Sequence, residues 1–177
     1  MQYTAIYQSP IGGILLAADD IGLTGLWFEG GKYYAEGLDL EHEEKWLPVF
    51  DTAKKWLDIY FSGREPDFMP PMHMIGSPFR LSIWKLLVQI PYGRTISYGE
   101  LAKMAAREKG IASMSPQAVG GAVGHNRISI LIPCHRVIGA NGSLTGYAGG
   151  VDKKERLLLL ENVDMEKLFV PSKGTAL

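Results

Sequence analysis

The chain has 177 residues, of which 46% are hydrophobic and 21% are charged, a balance typical of a folded protein rather than a disordered one. A single cysteine excludes an intrachain disulfide framework and favours a reducing, cytoplasmic location. With only four histidines beside that cysteine, we expect no closed zinc site. No apolar run has the length of a membrane span, and the first residues do not resemble a secretory signal.

The charges are unevenly distributed along the chain. Residues 1–79 carry 5 Lys/Arg against 12 Asp/Glu, whereas residues 80–140 carry 8 Lys/Arg against 2 Asp/Glu. A basic section of this kind is typical of a protein that binds a polyanion such as nucleic acid. A solvated basic face without a partner is the alternative, and charge alone does not decide between them.

The first third of the chain predicts a small α/β unit. Residues 3–8, 14–18 and 23–28 read as strands separated by turn residues, which predicts an antiparallel meander. Residues 30–44 are polar and predict a loop. Apolar residues at helical spacing over 47–61 predict an amphipathic helix that packs on the sheet and ends at Ser62-Gly63. The proline-rich stretch 64–76 predicts a linker between two domains, 1–76 and 77–177.

The second part of the chain opens with helix-start signals. Ser77-Pro78 predicts a helix with serine as its N-cap. Ser97 and Glu100 fit a capping box for a helix over 98–106. Ser115-Pro116 predicts a further helix, 117–124, made largely of small residues. Two short helices joined by a loop suggest a helix-turn-helix, although the loop 107–114 is longer than the usual turn.

The only cysteine, Cys134, follows an apolar run, 130–132, that predicts a buried strand. A glycine-rich loop, 139–150, comes next. Asp152 is expected to cap a final helix over 153–161, and residues 169–177 read as a tail. The fold class predicted overall is α+β, with a small N-terminal α/β domain and a mostly helical C-terminal domain.

The neighbours of Cys134 indicate nucleophilic chemistry. His135 and Arg136 are expected to favour the thiolate, which is the nucleophilic form of cysteine. His135 is a candidate base, Glu161 could orient its imidazole, and Tyr98 could donate a proton. Each residue also has a purely structural explanation, since free cysteine is often buried, a glutamate at a helix end is often solvated, and a tyrosine often packs.

These residues occur within motifs that closely resemble the O6-alkylguanine-DNA alkyltransferases, also called methylated-DNA–protein-cysteine methyltransferases. The resemblance covers roughly residues 77–163. Its motifs are Phe79–Trp84, Ile96-Ser97-Tyr98, Ala118-Val119-Gly120-Gly121-Ala122, Asn126, Ile130–Val137, Gly146–Gly150 and Glu161. It implies a ribonuclease-H-like α/β domain at the N-terminus and a helix-turn-helix that enters the DNA minor groove.

The resemblance also implies a reaction without a cofactor or a metal. A monomeric protein would flip the O6-alkylguanine out of double-stranded DNA, and Cys134 would take its alkyl group once, irreversibly, with O4-alkylthymine as a second substrate. His135 would deprotonate Cys134 through a water, and Glu161 would orient His135. Asn126 would support the turn and Tyr98 would donate to the purine. The implied pocket residues are Pro133, Val137, Tyr147 and Ala148, and the implied DNA contacts are Ser115, Gln117, Ala118, Gly121, Ala122 and Arg136.

One departure from the family pattern concerns the residue that fills the gap left by the flipped base. Family members commonly have an arginine there, whereas this chain has Gln117, which lacks the charge and the broad stacking plane of a guanidinium. Ala148 replaces a serine of some members.

Two other functions remain open. One is a non-catalytic relative that binds alkylated DNA, against which Cys134 argues. The other is a thiol hydrolase, for which no oxyanion-hole motif is recognisable.

Overall fold

Three antiparallel strands begin the chain, as the alternation of apolar residues predicts. In the computed structural model, which describes residues 1–172, β1 (Gln2–Ser9) pairs with β2 (Gly12–Ala18), and β2 pairs with β3 (Leu23–Phe28). Every residue of β3 is buried. The predicted meander is therefore confirmed, within one or two residues at each strand end.

The polar stretch predicted as a loop contains a fourth strand. β4 (His42–Glu44) pairs in parallel with β1 and completes a sheet in the order β3-β2-β1-β4. All three of its residues are exposed. The loop prediction was wrong here because an edge strand without a buried face has no apolar alternation to reveal it.

The predicted amphipathic helix is confirmed as α1 (Pro48–Phe61), and Leu47 takes the N-cap position. Its buried residues follow helical spacing: Phe50, Ala53, Trp56, Leu57 and Tyr60. A hydrogen bond of 2.7 Å from the Tyr7 hydroxyl to Asp58 ties the helix to β1. The chain leaves the helix through Ser62 and Gly63, as expected, with Gly63 at a positive φ of 86°.

The proline-rich stretch is not a free linker at its C-terminal end. Leu23 donates its amide to Pro71 at 2.9 Å, and His73 donates its amide back to Leu23 at 2.7 Å, so that Met72 forms a parallel bridge with β3. Segment 127–131 also contacts β3, through backbone bonds of 2.8 and 3.0 Å to Leu26. These contacts explain why every residue of β3 is buried although β3 is an edge strand of the sheet.

The helical part of the chain begins with α2 (Pro78–Leu87), which Ser77 caps as predicted. Helix α3 (Tyr98–Lys109) has the predicted capping box, in which Ser97 and Glu100 exchange hydrogen bonds. It runs three residues beyond the expected end and stops at Gly110, whose φ is 66°. Helix α4 (Pro116–Gly124) starts at the Ser115 cap. Because α3 is longer than predicted, the segment between α3 and α4 shrinks to 110–115.

The expected strand before Cys134 does not form. Ile130 has a φ of 72°, which breaks an extended conformation and is strained for a β-branched residue. Two tight turns follow, closed by backbone bonds from Leu131 to Ser129 and from Cys134 to Ile132. The residues Cys134–Arg136 form a single 3₁₀ turn, and β6 (Val137–Ile138) then pairs in parallel with β5 (Ile96–Ser97). The apolar run was misread because a buried turn and a buried strand have the same composition.

The last helix, α5 (Val151–Leu160), begins two residues earlier than predicted, with Gly150 rather than Asp152 at its N-cap. Its inward face packs Val151 and Leu158 against Leu144. Phe169, expected in the tail, is hydrogen-bonded through its backbone to Gly142 and Leu144. Residues 173–177 of the predicted tail lie outside the described residues.

The contacts divide the chain into two compact units. One comprises residues 1–75 together with 127–131, and the other comprises 76–126 and the described residues from 132 onward. The first is the small sheet unit and the second is mostly helical, in agreement with the predicted α+β class. The predicted domain division, 1–76 and 77–177, stays a prediction. It did not foresee that residues 127–131 group with the first unit.

Candidate active site around Cys134

Cys134 lies at the start of the 3₁₀ turn and is almost fully buried, with 5% of its surface exposed. The Asn126 amide, at the end of α4, donates to the sulfur at 3.2 Å and to the carbonyl of Ile132 at 2.8 Å. One side chain therefore holds both the sulfur and the backbone turn that precedes it. The resemblance implies a supporting role for Asn126, and these two hydrogen bonds are compatible with it.

Several groups around Cys134 act on the pKa of its thiol. Burial raises the pKa of Cys134, and it is opposed by the Asn126 hydrogen bond, the positive charge of Lys154 and the backbone amides of Cys134 and His135. The side chains of His135 and Arg136 were expected to supply the positive charge. Both side chains interact with Glu161, and their effect on the thiol stays a prediction.

His135 and Glu161 form a buried hydrogen-bonded pair. The distance from Nε2 to Oε2 is 2.5 Å, and both side chains have no exposed surface. Burial lowers the pKa of His135, although the Glu161 charge opposes this, so the imidazole is held neutral. Burial would raise the pKa of Glu161, but the bonds and charges of His135 and Arg136 outweigh it and lower the pKa to about 2.

The tautomer of His135 follows from this pairing. An ionised carboxylate can only accept hydrogen bonds, so Nε2 must carry the hydrogen that it donates to Glu161. In a neutral ring the second nitrogen, Nδ1, then bears the lone pair. His135 is thus prepared to accept a proton at Nδ1, which is the requirement for a general base.

Arg136 is placed differently from what the sequence suggested. Its side chain is buried, and its guanidinium donates to Glu161 Oε1 at 2.8 Å and to the Ile90 carbonyl at 2.7 Å. The same carboxylate oxygen accepts the Gly93 amide at 3.0 Å. Arg136 is therefore withdrawn as a DNA contact, because its side chain is buried and its Nε and one terminal nitrogen bind Glu161 and Ile90 inside the protein, where they help to keep Glu161 ionised and fixed.

Tyr98 is the first residue of α3 and faces the glycine-rich loop. Its hydroxyl lies 3.2 Å from the carbonyl oxygens of both Thr145 and Gly146, which share its single hydrogen. Burial raises the pKa of Tyr98, and the nearby Cys134 raises it further. The side chain therefore stays a neutral phenol that can donate a hydrogen bond. A Cβ at Gly146 would lie 3.1 Å from this hydroxyl, and the φ of Gly146 is 72°, so only glycine fits there.

The candidate pocket residues flank the 3₁₀ turn and the loop. Pro133 and Val137 are buried on either side of the turn. Tyr147 is buried, and its ring meets His135 edge to face at 6.5 Å between centroids. Ala148 is half-buried. The turn, the loop and α3 together place a thiol, a neutral imidazole and a phenol in one part of the second unit.

The candidate DNA contacts divide into an exposed and a buried group. Ser115, Gln117, Ala118 and Gly121 are exposed on α4 and at its N-cap. Ala122 is buried, and its carbonyl accepts a 2.9 Å hydrogen bond from the Trp84 indole. Ala122 therefore packs towards α2 and is withdrawn as a DNA contact. The Ser115 hydroxyl donates to Gln117 Oε1 at 3.0 Å, which holds that side chain over the first turn of the helix.

Sequence reasoning missed Lys154, which is fully buried on α5 and donates to two backbone carbonyls of the site. The sequence contained a signal for it, because Lys154 falls on the apolar helix face that Val151 and Leu158 define.

Over residues 1–172, no three His, Cys, Asp or Glu side chains are grouped so as to hold a metal ion. No helix in that range is long and apolar enough to cross a membrane.

Comparison with known proteins identifies the family. Two family models together match nearly the whole chain: the ribonuclease-like domain of 6-O-methylguanine DNA methyltransferase over residues 2–73, and its DNA-binding domain over residues 78–163. The chain belongs to the methylated-DNA–protein-cysteine methyltransferase family, as the motifs around Cys134 led us to expect.

Named relatives and solved structures agree with this assignment. A methylated-DNA–protein-cysteine methyltransferase of Methanosarcina acetivorans is 47% identical over 161 residues, which is 90% of this chain and 97% of the relative. One from Haemophilus influenzae is 38% identical over 91% of this chain and 87% of its own length. The OGT of Mycobacterium tuberculosis, solved in complex with DNA, matches with a TM-score of 0.77 and 38% identity over 94% of each chain.

Proposed function

We propose that this chain repairs DNA directly by moving the alkyl group of O6-alkylguanine, and of O4-alkylthymine, onto the sulfur of Cys134. The observation that supports this most strongly is that a thiol, a histidine and a glutamate lie next to one another in the site. A buried thiol, held by Asn126, adjoins a neutral histidine that is fixed by an ionised glutamate. That order suits activation of a thiol by a general base.

The first step is removal of the thiol proton. His135 accepts it at Nδ1 through a bridging water, and Glu161 stabilises the imidazolium that forms. Because the pKa of Cys134 is raised by burial, the thiol stays protonated at neutral pH until a base acts. The Asn126 amide, which donates to the sulfur, then stabilises the thiolate.

In the second step the thiolate attacks the alkyl carbon in line with the bond to O6. The sulfur–carbon bond forms as the carbon–oxygen bond breaks, and the electron pair of that bond passes to the guanine. Tyr98 donates a hydrogen bond to the purine ring as negative charge develops there. The proton taken from Cys134 finally balances the charge on the guanine, so the restored base leaves neutral.

The product at Cys134 is a thioether, which has no good leaving group and no labile carbonyl. No water or cofactor in this scheme regenerates the thiol, so each molecule acts once and irreversibly. This property separates the proposal from a thiol hydrolase, in which an acyl-enzyme would be cleaved and the cysteine would turn over.

We also propose that α3 and α4 form the helix-turn-helix that binds double-stranded DNA in the minor groove. The exposed residues Ala118 and Gly121 lack bulk and would let the α4 backbone approach the sugar-phosphate walls. Gln117 would enter the stack in place of the flipped base, without the charge of the arginine common in the family. The protein would act as a monomer in the cytoplasm.

The second candidate function is binding of alkylated DNA without repair. A single experiment separates the two functions: incubation of duplex DNA containing O6-methylguanine with increasing amounts of protein, followed by quantitation of the modified base. We expect one lesion to disappear per protein molecule, without further turnover. Cys134→Ala should bind the same duplex and remove no lesions. Bound DNA with intact lesions in the wild-type protein would establish the second function instead.

A further inference from the structure

The second unit contains a fully buried lysine that has no part in the proton route or in DNA binding as described. Lys154 has 0% of its surface exposed. An ammonium that is removed from water costs several kcal/mol unless its hydrogen bonds and charge are compensated. Packing alone therefore does not explain a lysine on the apolar face of a helix.

The hydrogen bonds of Lys154 connect two parts of the candidate pocket. Its Nζ donates to the Val137 carbonyl at 2.5 Å and to the Thr145 carbonyl at 2.9 Å. Val137 directly follows the 3₁₀ turn that begins at Cys134, and Thr145 directly precedes the Gly146-Tyr147 pair. One side chain thus fixes the backbone on both sides of the space in which the base is proposed to lie.

Lys154 and Tyr98 act on the same carbonyl. The Tyr98 hydroxyl also donates to Thr145, and the Lys154 ammonium lies 5.8 Å from the centroid of the Tyr98 ring. When Tyr98 turns to donate to the purine, the Thr145 carbonyl keeps the Lys154 hydrogen bond. The lysine would therefore keep the loop in place while the tyrosine changes partners.

The charge of Lys154 acts on the reacting sulfur. The groups around it are Cys134 and His135 on the 3₁₀ turn and Tyr98 on α3, while Arg136 and Glu161 lie behind His135 as an ion pair. The positive charge lowers the pKa of Cys134 and also that of His135. Burial lowers the pKa of Lys154 to about 8, against the opposing effect of Cys134, so the lysine is mostly charged at pH 7.

We propose that Lys154 is a positioning residue for alkyl transfer, one that fixes both backbone segments beside Cys134 and supplies the positive charge that favours its thiolate. The proposal rests on the proposed function of the site. When the thiol proton moves to His135, the new charge on the sulfur is paired with Lys154. When the alkyl group is transferred, that negative charge moves to the guanine, beside the phenol of Tyr98.

The test compares Lys154→Met with Lys153→Met, a neighbouring half-buried lysine on the same helix. The two variants change the net charge equally, so any effect of overall charge on DNA binding is matched. The first measurement is the pH dependence of Cys134 alkylation by iodoacetamide, which needs no DNA. We expect the midpoint of Lys154→Met to rise by one pH unit or more, and that of Lys153→Met to equal the wild-type value.

The second measurement is the single-turnover rate of methyl transfer from an oligonucleotide containing O6-methylguanine. We expect a loss of tenfold or more for Lys154→Met, with DNA affinity equal in the two variants. If Lys154→Met does not fold, Lys154→Gln replaces it, because an amide can still donate to both carbonyls but carries no charge. We expect the same rise of the midpoint in that variant.

A folded Lys154→Met or Lys154→Gln protein with the wild-type midpoint and the wild-type transfer rate would overturn the proposal. Failure of the proposed function gives a different result, in which the wild-type protein itself leaves the oligonucleotide unrepaired. In that case the pH midpoint of Cys134 alkylation by iodoacetamide still shows whether Lys154 favours the thiolate.

Discussion

At the scale of single residues, the site depends on a carboxylate that is surrounded by donors. Glu161 accepts hydrogen bonds from His135, Arg136 and the amide of Gly93. A buried ion pair contributes little by itself, but its disruption leaves an uncompensated charge and is costly. The ionisation of Glu161 is therefore coupled both to the orientation of His135 and to the stability of the fold.

This coupling predicts an acid-sensitive contribution to stability. The pKa of Glu161 falls from its ordinary value of 4.5 to about 2 in the folded chain, so its stabilisation is fully present above pH 4.5 and is lost as the pH falls towards 2. The shift corresponds to roughly 3 kcal/mol at neutral pH. Comparison of the wild-type protein with Glu161→Gln should show a stability difference that shrinks by about 2 kcal/mol between pH 5.5 and pH 3.

Urea unfolding at the two pH values measures this difference, and Glu166→Gln, at an exposed position, serves as the control. The difference between wild type and Glu166→Gln should be small at both pH values. A wild-type advantage over Glu161→Gln that stays constant from pH 5.5 to pH 3 would contradict the assignment of Glu161 as the buried, ionised partner.

The sequence allowed Cys134, His135, Glu161, Tyr98 and Asn126 to be selected as candidates, and the structure brings them into one unit. It did not allow the roles of Arg136 and Lys154 to be foreseen. The partners of Arg136, at positions 90 and 161, are distant in the chain, and no local pattern marks such a contact. We expected Arg136 to act on the neighbouring Cys134, whereas its guanidinium binds Glu161, the residue that orients His135.

At the scale of secondary structure elements, the helix starts were the most accurate predictions. Ser77, Ser97 and Ser115 all cap the helices that follow them, because capping depends only on residues within one turn. The strand β4 and the bridges of Met72 and Ile128 to β3 were not foreseen. Those contacts join distant segments, and a polar or irregular sequence gives no periodic signal for them.

The cap of α4 gives a prediction at this scale. The Ser115 hydroxyl accepts the Ala118 amide at 3.4 Å, so Ser115→Ala should lower the free energy of unfolding by about 1 kcal/mol. Ser115→Asp should retain the cap, because a carboxylate also accepts that amide and suits the helix N-terminus. If α4 lies against DNA as proposed, the aspartate should weaken DNA binding more than the alanine does, owing to repulsion by the phosphates.

Thermal unfolding and a DNA-binding titration of both variants check this prediction. Ser113→Ala, in the exposed part of the segment before α4, is the matched control and should resemble the wild type in both measurements. Equal DNA affinity of Ser115→Asp and Ser115→Ala would show that the N-terminus of α4 does not face the phosphates.

At the scale of the whole molecule, the distribution of charge is more informative than its total. The net charge is −1, yet the section 80–140 contains 8 Lys/Arg and only 2 Asp/Glu. In this section Lys85 on α2, Lys103, Arg107 and Lys109 on α3, and Arg94 between the two helices are exposed. DNA binding through such residues releases counterions and becomes weaker as salt is added.

The affinity for duplex DNA should therefore fall steeply with ionic strength. If about four phosphates are contacted, the association constant should decrease roughly 100-fold between 50 and 200 mM salt. Titrations with Cys134→Ala at several salt concentrations measure the slope without interference from the reaction. A slope near zero would mean that the basic residues of α2–α4 do not contact the DNA backbone.

The central claim is that Cys134 takes the alkyl group from DNA once and keeps it. Intact-protein mass spectrometry after incubation with an oligonucleotide containing O6-methylguanine, followed by peptide mapping, tests this most directly. The account predicts the mass of one added methylene on the peptide that contains Cys134, saturating at one equivalent. An unchanged protein mass while the DNA remains bound, or a methyl group on any other residue, would contradict it.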